Sequence, residues 1–94
     1  MLNDLFEIIQ NRKQRHPQGS YTSQLLQAGQ DAILKKVGEE AVEVILAGKG
    51  QGNQRLVEEV ADLFYHTLVL LSANDLTLKD VEEELRRRHL QKTT

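Results

Sequence analysis

Carboxylate pairs stand out in two stretches of the sequence that are otherwise rich in apolar residues. The stretch GEEAVEVILA contains Glu40 and Glu43, three positions apart, and a later stretch contains Glu59 and Asp62 at the same spacing. Residues three apart on a helix are neighbours on one face, so each pair is expected to present two carboxylates side by side.

The two pairs are expected to meet, because the stretches that carry them should pack as neighbouring antiparallel helices. Two like charges ~4 Å apart repel by about 4 kcal/mol in a partly buried site. The mutual repulsion of four such charges would exceed the free energy of unfolding of a small domain. Either some carboxylates are protonated or a cation lies between them. Hard oxygen ligands select Mg²⁺, or Mn²⁺, over zinc. The pattern therefore predicts a magnesium site with Glu40, Glu43, Glu59 and Asp62 as ligands, open to a phosphorylated substrate.

A solvated helix face is the competing interpretation of these acids, and for a single pair it is the commoner one. The surrounding residues argue against it here. Glu40 and Glu43 interrupt a run of valine, alanine, isoleucine and leucine, and Glu59 and Asp62 interrupt a similar run. Helices that are apolar around most of their circumference are usually buried, and a buried carboxylate without a partner is costly. A functional or metal-binding role is therefore favoured.

Apolar spacing and capping residues predict five helices that position these groups. Asn3 caps a first helix at about 3–15, Ser20 opens a short helix that Gly29 stops, and a central helix runs from Gln30 to about Ala47. The sequence GKGQGN breaks the pattern, Asn53 caps a helix that ends near 73–74, and Thr77 with Asp80 opens a last helix to about His89. The short break predicts an antiparallel central hairpin.

Composition agrees with one small helical domain over residues 1–94. Aromatic residues make up only 4% of the chain and there is no cysteine, which excludes disulfides and cysteine-based zinc or redox sites. A net charge of −2 gives no global attraction to nucleic acid, and the N-terminus predicts neither a signal peptide nor a membrane anchor. Only about 60–65% of the unfolded surface of such a short chain can be buried, so a second subunit would help. We expect an all-α helical bundle, built on the central hairpin and completed by homodimerisation.

The stretches RKQRHPQGSYTSQLL, KKVGEEAVEV and EVADLFYHTLVLL resemble the phosphoribosyl-ATP pyrophosphohydrolases of histidine biosynthesis, from Leu5 to His89. That family lies within the all-α, MazG-like nucleoside triphosphate pyrophosphohydrolase superfamily, which the acidic motif alone would indicate. The resemblance implies hydrolysis of 1-(5-phosphoribosyl)-ATP between its α and β phosphates. It also implies Mg²⁺ dependence, a homodimer, and a cyclohydrolase on a separate polypeptide that acts on the product. The absence of cysteine and of a signal peptide pattern predicts a cytoplasmic location.

Cationic and hydroxyl groups are expected to hold the phosphates that a metal does not reach. Lys36 shares the helix face of Glu40 and Glu43, where an ion pair with Glu40 is an equally good interpretation. Arg12, Lys13 and Ser20 surround the turn before the second helix, where a phosphate could be held. The family pattern adds Arg88 as a substrate contact.

Several roles stay open from the sequence. Glu39, or one of the four ligands, could serve as the general base that holds the attacking water. Tyr21 and Tyr65 could stack on adenine or belong to the core, with the core favoured for Tyr65. His66 is expected to be a hydrogen-bonded core residue, or to support a ligand carboxylate, rather than to bind the metal itself.

Two other functions remain to be distinguished. A house-cleaning enzyme acting on ordinary or damaged nucleoside triphosphates would use the same carboxylates with a different base pocket. A non-catalytic helical dimerisation module would use the acids only as a polar surface, and it would be indifferent to Mg²⁺.

Overall fold

The computed structural model describes residues 1–91, with side chains through His89. This part of the chain folds into five α-helices and contains no strand. The helices are α1 (Leu2–Arg15), α2 (Tyr21–Ala28), α3 (Gln30–Gly50), α4 (Asn53–Ala73) and α5 (Leu78–Gln91). The all-α class is confirmed. The last three residues of the expected 1–94 domain lie outside the described part.

Helices α3 and α4 form the central hairpin and make the most extensive helix–helix contact in the described chain. Only Gln51 and Gly52 separate them. The predicted break at GKGQGN was therefore too early, because α3 continues through Gly50 and the Gln51 amide still bonds to the Ala47 carbonyl at 3.1 Å. The helix stops where Gly52 takes φ 90° and ψ 161°, a conformation that is essentially restricted to glycine.

Side-chain capping explains two helix starts and fails at two others. The Ser20 hydroxyl accepts from the Ser23 amide at 3.1 Å, and Thr77 and Asp80 form a reciprocal capping box, as predicted. The predicted cap at Asn3 was wrong, because α1 already begins at Leu2 without a side-chain cap. Asn53 is the first residue of α4 rather than its cap, because Gly52 occupies the N-cap position.

The core lies where α1 and α2 pack onto the hairpin and α5 packs against α1. Its buried apolar members are Phe6, Ile9, Leu25, Ile33, Leu68, Val69 and Leu78. The buried face of α4 also carries the polar residues Glu59, His66 and Ser72. On the same helix Phe64 and Thr67 are exposed, whereas Leu70 and Leu71 pack against the core. Apolar spacing alone does not identify buried polar residues that are hydrogen bonded inside.

A row of large apolar residues on α3 and α4 remains exposed in the single chain. This surface, called the hairpin apolar face below, consists of Val42, Ile45, Leu46, Val57 and Phe64, which are 46–64% exposed. The two helices were expected to be buried around most of their circumference, and one chain does not achieve this. Three short helices cannot surround two helices of 21 residues.

None of the helices in the described residues is both long and apolar enough to cross a membrane.

Candidate functional site

Three of the predicted metal ligands converge between α3 and α4. One carboxylate oxygen from each of Glu40, Glu59 and Asp62 lies within 4.8 Å of the others, and this group is called the acidic cluster below. Glu43 lies outside the 4.8 Å group, although its charge is close enough to affect Glu59. The hairpin thus brings together one member of the first pair and both members of the second.

Glu59 is the most buried acid of the cluster, at 5% exposure. Burial raises the pKa of Glu59, Arg55 opposes the shift, and the negative charges of Asp62, Glu40 and Glu43 raise the pKa further. The Arg55 guanidinium forms ion pairs with Glu59 at 2.5 Å and with Glu58 at 2.9 Å. The positive charge of Arg55 therefore does not fully offset the effects of burial and of the neighbouring carboxylates on Glu59.

Lys36 lies one turn before the first carboxylates, as its spacing predicted. Its ammonium is 3.4 Å from Glu40 and 3.7 Å from Glu39. Burial acts to lower the pKa of Lys36, but Tyr21, the hydrogen bond and charge of Glu40, and Glu39 together raise it. The lysine is therefore held in its charged form beside the acidic cluster. Glu39 is half exposed and is not a member of that cluster.

A hydrogen-bonded chain connects Tyr21 on α2 to the backbone of the acidic cluster. The Nδ1 atom of His66 is 2.8 Å from the Asp62 carbonyl, and its Nε2 atom is 3.1 Å from the Tyr21 hydroxyl. A carbonyl only accepts, so Nδ1 carries the proton, and in a neutral ring Nε2 accepts from the tyrosine. His66 is thus a hydrogen-bonded core residue, as the sequence favoured, and its two hydrogen-bond partners in the described chain are a tyrosine hydroxyl and a backbone carbonyl.

Tyr65 packs beside this chain, with its ring edge-to-face against that of His66. Its ring centroid is 4.9 Å from that of His66 and 6.3 Å from that of Tyr21, and its hydroxyl bonds to Thr22. Burial raises the pKa of Tyr65. Tyr21 is half exposed, so of the two tyrosines it is the one with a free ring surface for a base.

A basic cavity of about 440 Å³ opens where α1 turns into α2. This cavity, called the cationic cleft below, is lined by residues including Asn11, Arg12, Arg15, Pro17, Gly19 and Ser20. Lys13, which the sequence placed with Arg12 and Ser20, lies elsewhere. Its ammonium is 2.5 Å from the Ser72 carbonyl and 2.7 Å from Asp75.

Two cationic residues near these sites were not predicted from the sequence, although each had a signal there. Arg15 lies three residues after Arg12 and so shares its face of α1, while Arg55 lies four residues before Glu59. Arg88, the remaining predicted substrate contact, is paired with Glu84 at 2.8 Å within α5.

The acidic cluster fits a small divalent cation better than it fits zinc. Its donors are carboxylate oxygens, and opposite oxygens around Mg²⁺ lie about 4 Å apart, so oxygens within 4.8 Å need only a small adjustment. Burial and the neighbouring acids raise the pKa of Glu59, and a bound cation would favour its ionised form. Three carboxylates leave coordination positions for water and phosphate.

Residues 2–89 match the family model described as phosphoribosyl-ATP pyrophosphohydrolase. A phosphoribosyl-ATP pyrophosphatase of Listeria welshimeri is 57% identical over 94% of this chain and 84% of its own length. One from Pelotomaculum thermopropionicum is 50% identical over 99% of this chain and 95% of its own. A histidine biosynthesis bifunctional protein of Caldanaerobacter subterraneus is 49% identical over 95% of this chain but only 43% of its own length.

Proposed function

The chain belongs to the phosphoribosyl-ATP pyrophosphohydrolase family, and on that premise we propose that it hydrolyses phosphoribosyl-ATP to phosphoribosyl-AMP and pyrophosphate, a step of histidine biosynthesis. Water attacks at the α phosphorus and the bond to the bridging oxygen breaks, so that pyrophosphate leaves. The observation that supports this most directly is the acidic cluster beside Lys36. The reaction needs positive charge along the triphosphate, and a cation held by the cluster, together with the Lys36 ammonium, would supply it.

We assign Mg²⁺, with Mn²⁺ as a substitute, to Glu40, Glu59 and Asp62. Glu43 lies outside this group, but its charge is close enough to affect Glu59. When bound, the metal would neutralise phosphate charge and acidify or orient water. Lys36 is within reach of phosphate oxygens beside these carboxylates. Glu39, half exposed and next to the ligands, is the proposed holder of the attacking water.

The remaining binding residues divide between two neighbouring places. Tyr21 offers its exposed ring to the adenine, and Arg12 and Ser20 offer a cation and a hydroxyl in the cationic cleft. We do not assign Lys13 to the substrate, because it is engaged with Asp75. Arg88 keeps a role only if substrate draws it from Glu84.

The assembly we propose is a homodimer in the cytoplasm, joined through the hairpin apolar face. Exposed apolar surface of this extent on two adjacent helices usually marks an interface. The product would pass to a cyclohydrolase on a separate polypeptide.

Product analysis tests the function. Purified protein with phosphoribosyl-ATP and Mg²⁺ is expected to release phosphoribosyl-AMP and pyrophosphate, and EDTA is expected to stop the reaction. Glu40→Gln and Asp62→Asn should each lower kcat by about 100-fold or more, since each removes a ligand from a site worth several kcal/mol. In EDTA the free energy of unfolding of these variants should equal or exceed that of the unaltered chain, because repulsion within the cluster is relieved.

The matched control is Glu83→Gln, which removes an exposed carboxylate on α5 and should leave kcat unchanged. Two results would contradict the proposal. Release of pyrophosphate from ordinary nucleoside triphosphates as fast as from phosphoribosyl-ATP would favour a house-cleaning enzyme. Absence of turnover, with no response of stability to Mg²⁺, would favour a dimerisation module.

A further inference from the structure

The cationic cleft differs from the acidic cluster in having no carboxylate among its lining residues. Within the described residues, Arg12 bonds only to the neighbouring Asn11 side chain at 2.8 Å, and Arg15 forms no ion pair. Of the four arginines on the other helices, Arg55, Arg87 and Arg88 each pair with a glutamate, and within the described residues Arg86 does not. Two guanidinium groups that share a cavity and lack acidic partners make a site for an anion, and their planar donors suit phosphate.

The cleft and the acidic cluster flank Tyr21. Ser20, at the edge of the cleft, directly precedes Tyr21, and the Tyr21 hydroxyl bonds to His66 one turn after Asp62. A ligand lying across the Tyr21 ring could therefore reach both places. Among the described residues, the lining of the cleft offers a divalent metal no carboxylate, whereas its two guanidinium groups can bind an anion directly.

We propose that the cationic cleft binds a metal-free phosphate monoester, and that in the substrate this group is the 5-phosphate of the phosphoribosyl unit. This inference rests on the proposed function. Phosphoribosyl-ATP carries two separate phosphate groups. The triphosphate contains the bond that breaks and must lie at the acidic cluster, which leaves the monoester for the cleft. Ordinary nucleoside triphosphates have no second phosphate, so Arg12 and Arg15 would select against them.

Kinetics and binding with an Arg15 variant test the inference. Arg15→Gln should raise KM for phosphoribosyl-ATP by about tenfold or more while kcat stays within about twofold, because a charge-assisted bond far from the scissile bond is lost. Arg15→Lys should recover part of the loss. Arg86→Gln, which removes an exposed arginine on α5, should change neither constant. Circular dichroism should show all three variants folded.

Competition separates the two sources of phosphate. Ribose 5-phosphate should inhibit the unaltered chain competitively and inhibit Arg15→Gln at least tenfold more weakly, whereas pyrophosphate should inhibit both equally. The opposite pattern, with only pyrophosphate inhibition weakened, would assign the cleft to the triphosphate and overturn the proposal. An unchanged KM in Arg15→Gln would overturn it as well.

Calorimetry with ribose 5-phosphate alone needs no turnover. Binding to the unaltered chain that Arg15→Gln loses would support the cleft even if phosphoribosyl-ATP were not hydrolysed, in which case only the proposed function would fail. Equal binding to both proteins, or binding to neither, would overturn the cleft assignment even if hydrolysis were confirmed.

Discussion

At the scale of single residues, some polar groups in this chain pair with a neighbour on the same helix, and others pair with residues far away in the sequence. The pairing of Lys36 with Glu40 follows from four-residue spacing and could be predicted. The bond between Tyr21 and His66 joins residues 45 positions apart, and no local pattern signals it. Lys13 likewise reaches Asp75, 62 positions away, which removed it from the predicted phosphate site. Residue types could be read from the sequence, whereas long-range partners could not.

Removing the Tyr21 hydroxyl should expose this dependence. In Tyr21→Phe the Nε2 atom of buried His66 loses its donor, so we expect the free energy of unfolding to fall by about 1–2 kcal/mol. Urea unfolding followed by circular dichroism measures it. The double variant with His66→Phe should then be less destabilised than the sum of its two single variants. Strict additivity would mean that the hydrogen bond contributes nothing.

At the scale of helices, the sequence predicted the number and order of elements better than their ends. Ser20 and the Thr77–Asp80 box act through their own side chains, so they could be identified from residue type. The end of α3 could not, because GKGQGN offers three glycines and only backbone conformation shows that Gly52 makes the turn. Helix propensity penalises Gly48 and Gly50 by about 1 kcal/mol each, which the hairpin packing overcomes.

The glycine at the turn can be tested against a glycine in the helix. Gly52→Ala should destabilise the chain by about 1–3 kcal/mol, because φ 90° with ψ 161° strains any residue that has a Cβ, although no atom lies within 4 Å of the added group. Gly50→Ala, equally uncrowded but helical, should be neutral or stabilise by up to about 1 kcal/mol. Denaturant midpoints compare the two. Equal effects would mean that the turn conformation is not what requires glycine.

The ion pairs of one carboxylate on α5, that of Glu84, should make the stability of the fold depend on pH. Hydrogen bonds and charges of Arg87 and Arg88 lower the pKa of Glu84 to about 2 from 4.5. An acid with a lowered folded pKa stabilises the fold above its unfolded pKa, and that contribution is lost as pH falls toward 2. Glu84→Gln should therefore lower Tm at pH 7, and the difference should vanish near pH 2.

Thermal melts from pH 7 to pH 2 supply the comparison. Glu83→Gln, one residue away and also exposed, is the reference variant and should give a Tm difference that changes little with pH. A Tm difference for Glu84→Gln that stays constant down to pH 2 would contradict the assignment. The effect is expected to be small, since surface ion pairs are screened by solvent.

At the scale of the whole molecule, the exposed apolar residues are the least satisfied feature of the single chain. Composition correctly indicated a helical domain too short to bury its own apolar surface, but it could not say which surface would remain. The structure identifies the hairpin apolar face, on the same two helices that carry the acidic cluster. Any partner on that face would therefore lie close to the candidate site.

A charge on the hairpin apolar face should disrupt the proposed dimer. Phe64→Asp is expected to shift the mass in solution from twice 10.7 kDa to 10.7 kDa, because desolvating a carboxylate in an apolar interface is costly. Sedimentation equilibrium measures the shift. Ile8→Asp, at an exposed apolar position on α1, is the matched control and should leave the dimer intact. A monomeric unaltered chain at micromolar concentration would refute the proposed assembly.

The two-residue connection between α3 and α4 also bears on how the chain reaches its native state. Closing a two-residue loop costs little chain entropy, and contacts between sequence neighbours form early in folding. The three carboxylates of the acidic cluster all lie on this hairpin, so we expect them to come together before the N-terminal helices pack onto it. A divalent ion present at that moment would bind the nascent hairpin, and refolding would become faster as its concentration rises.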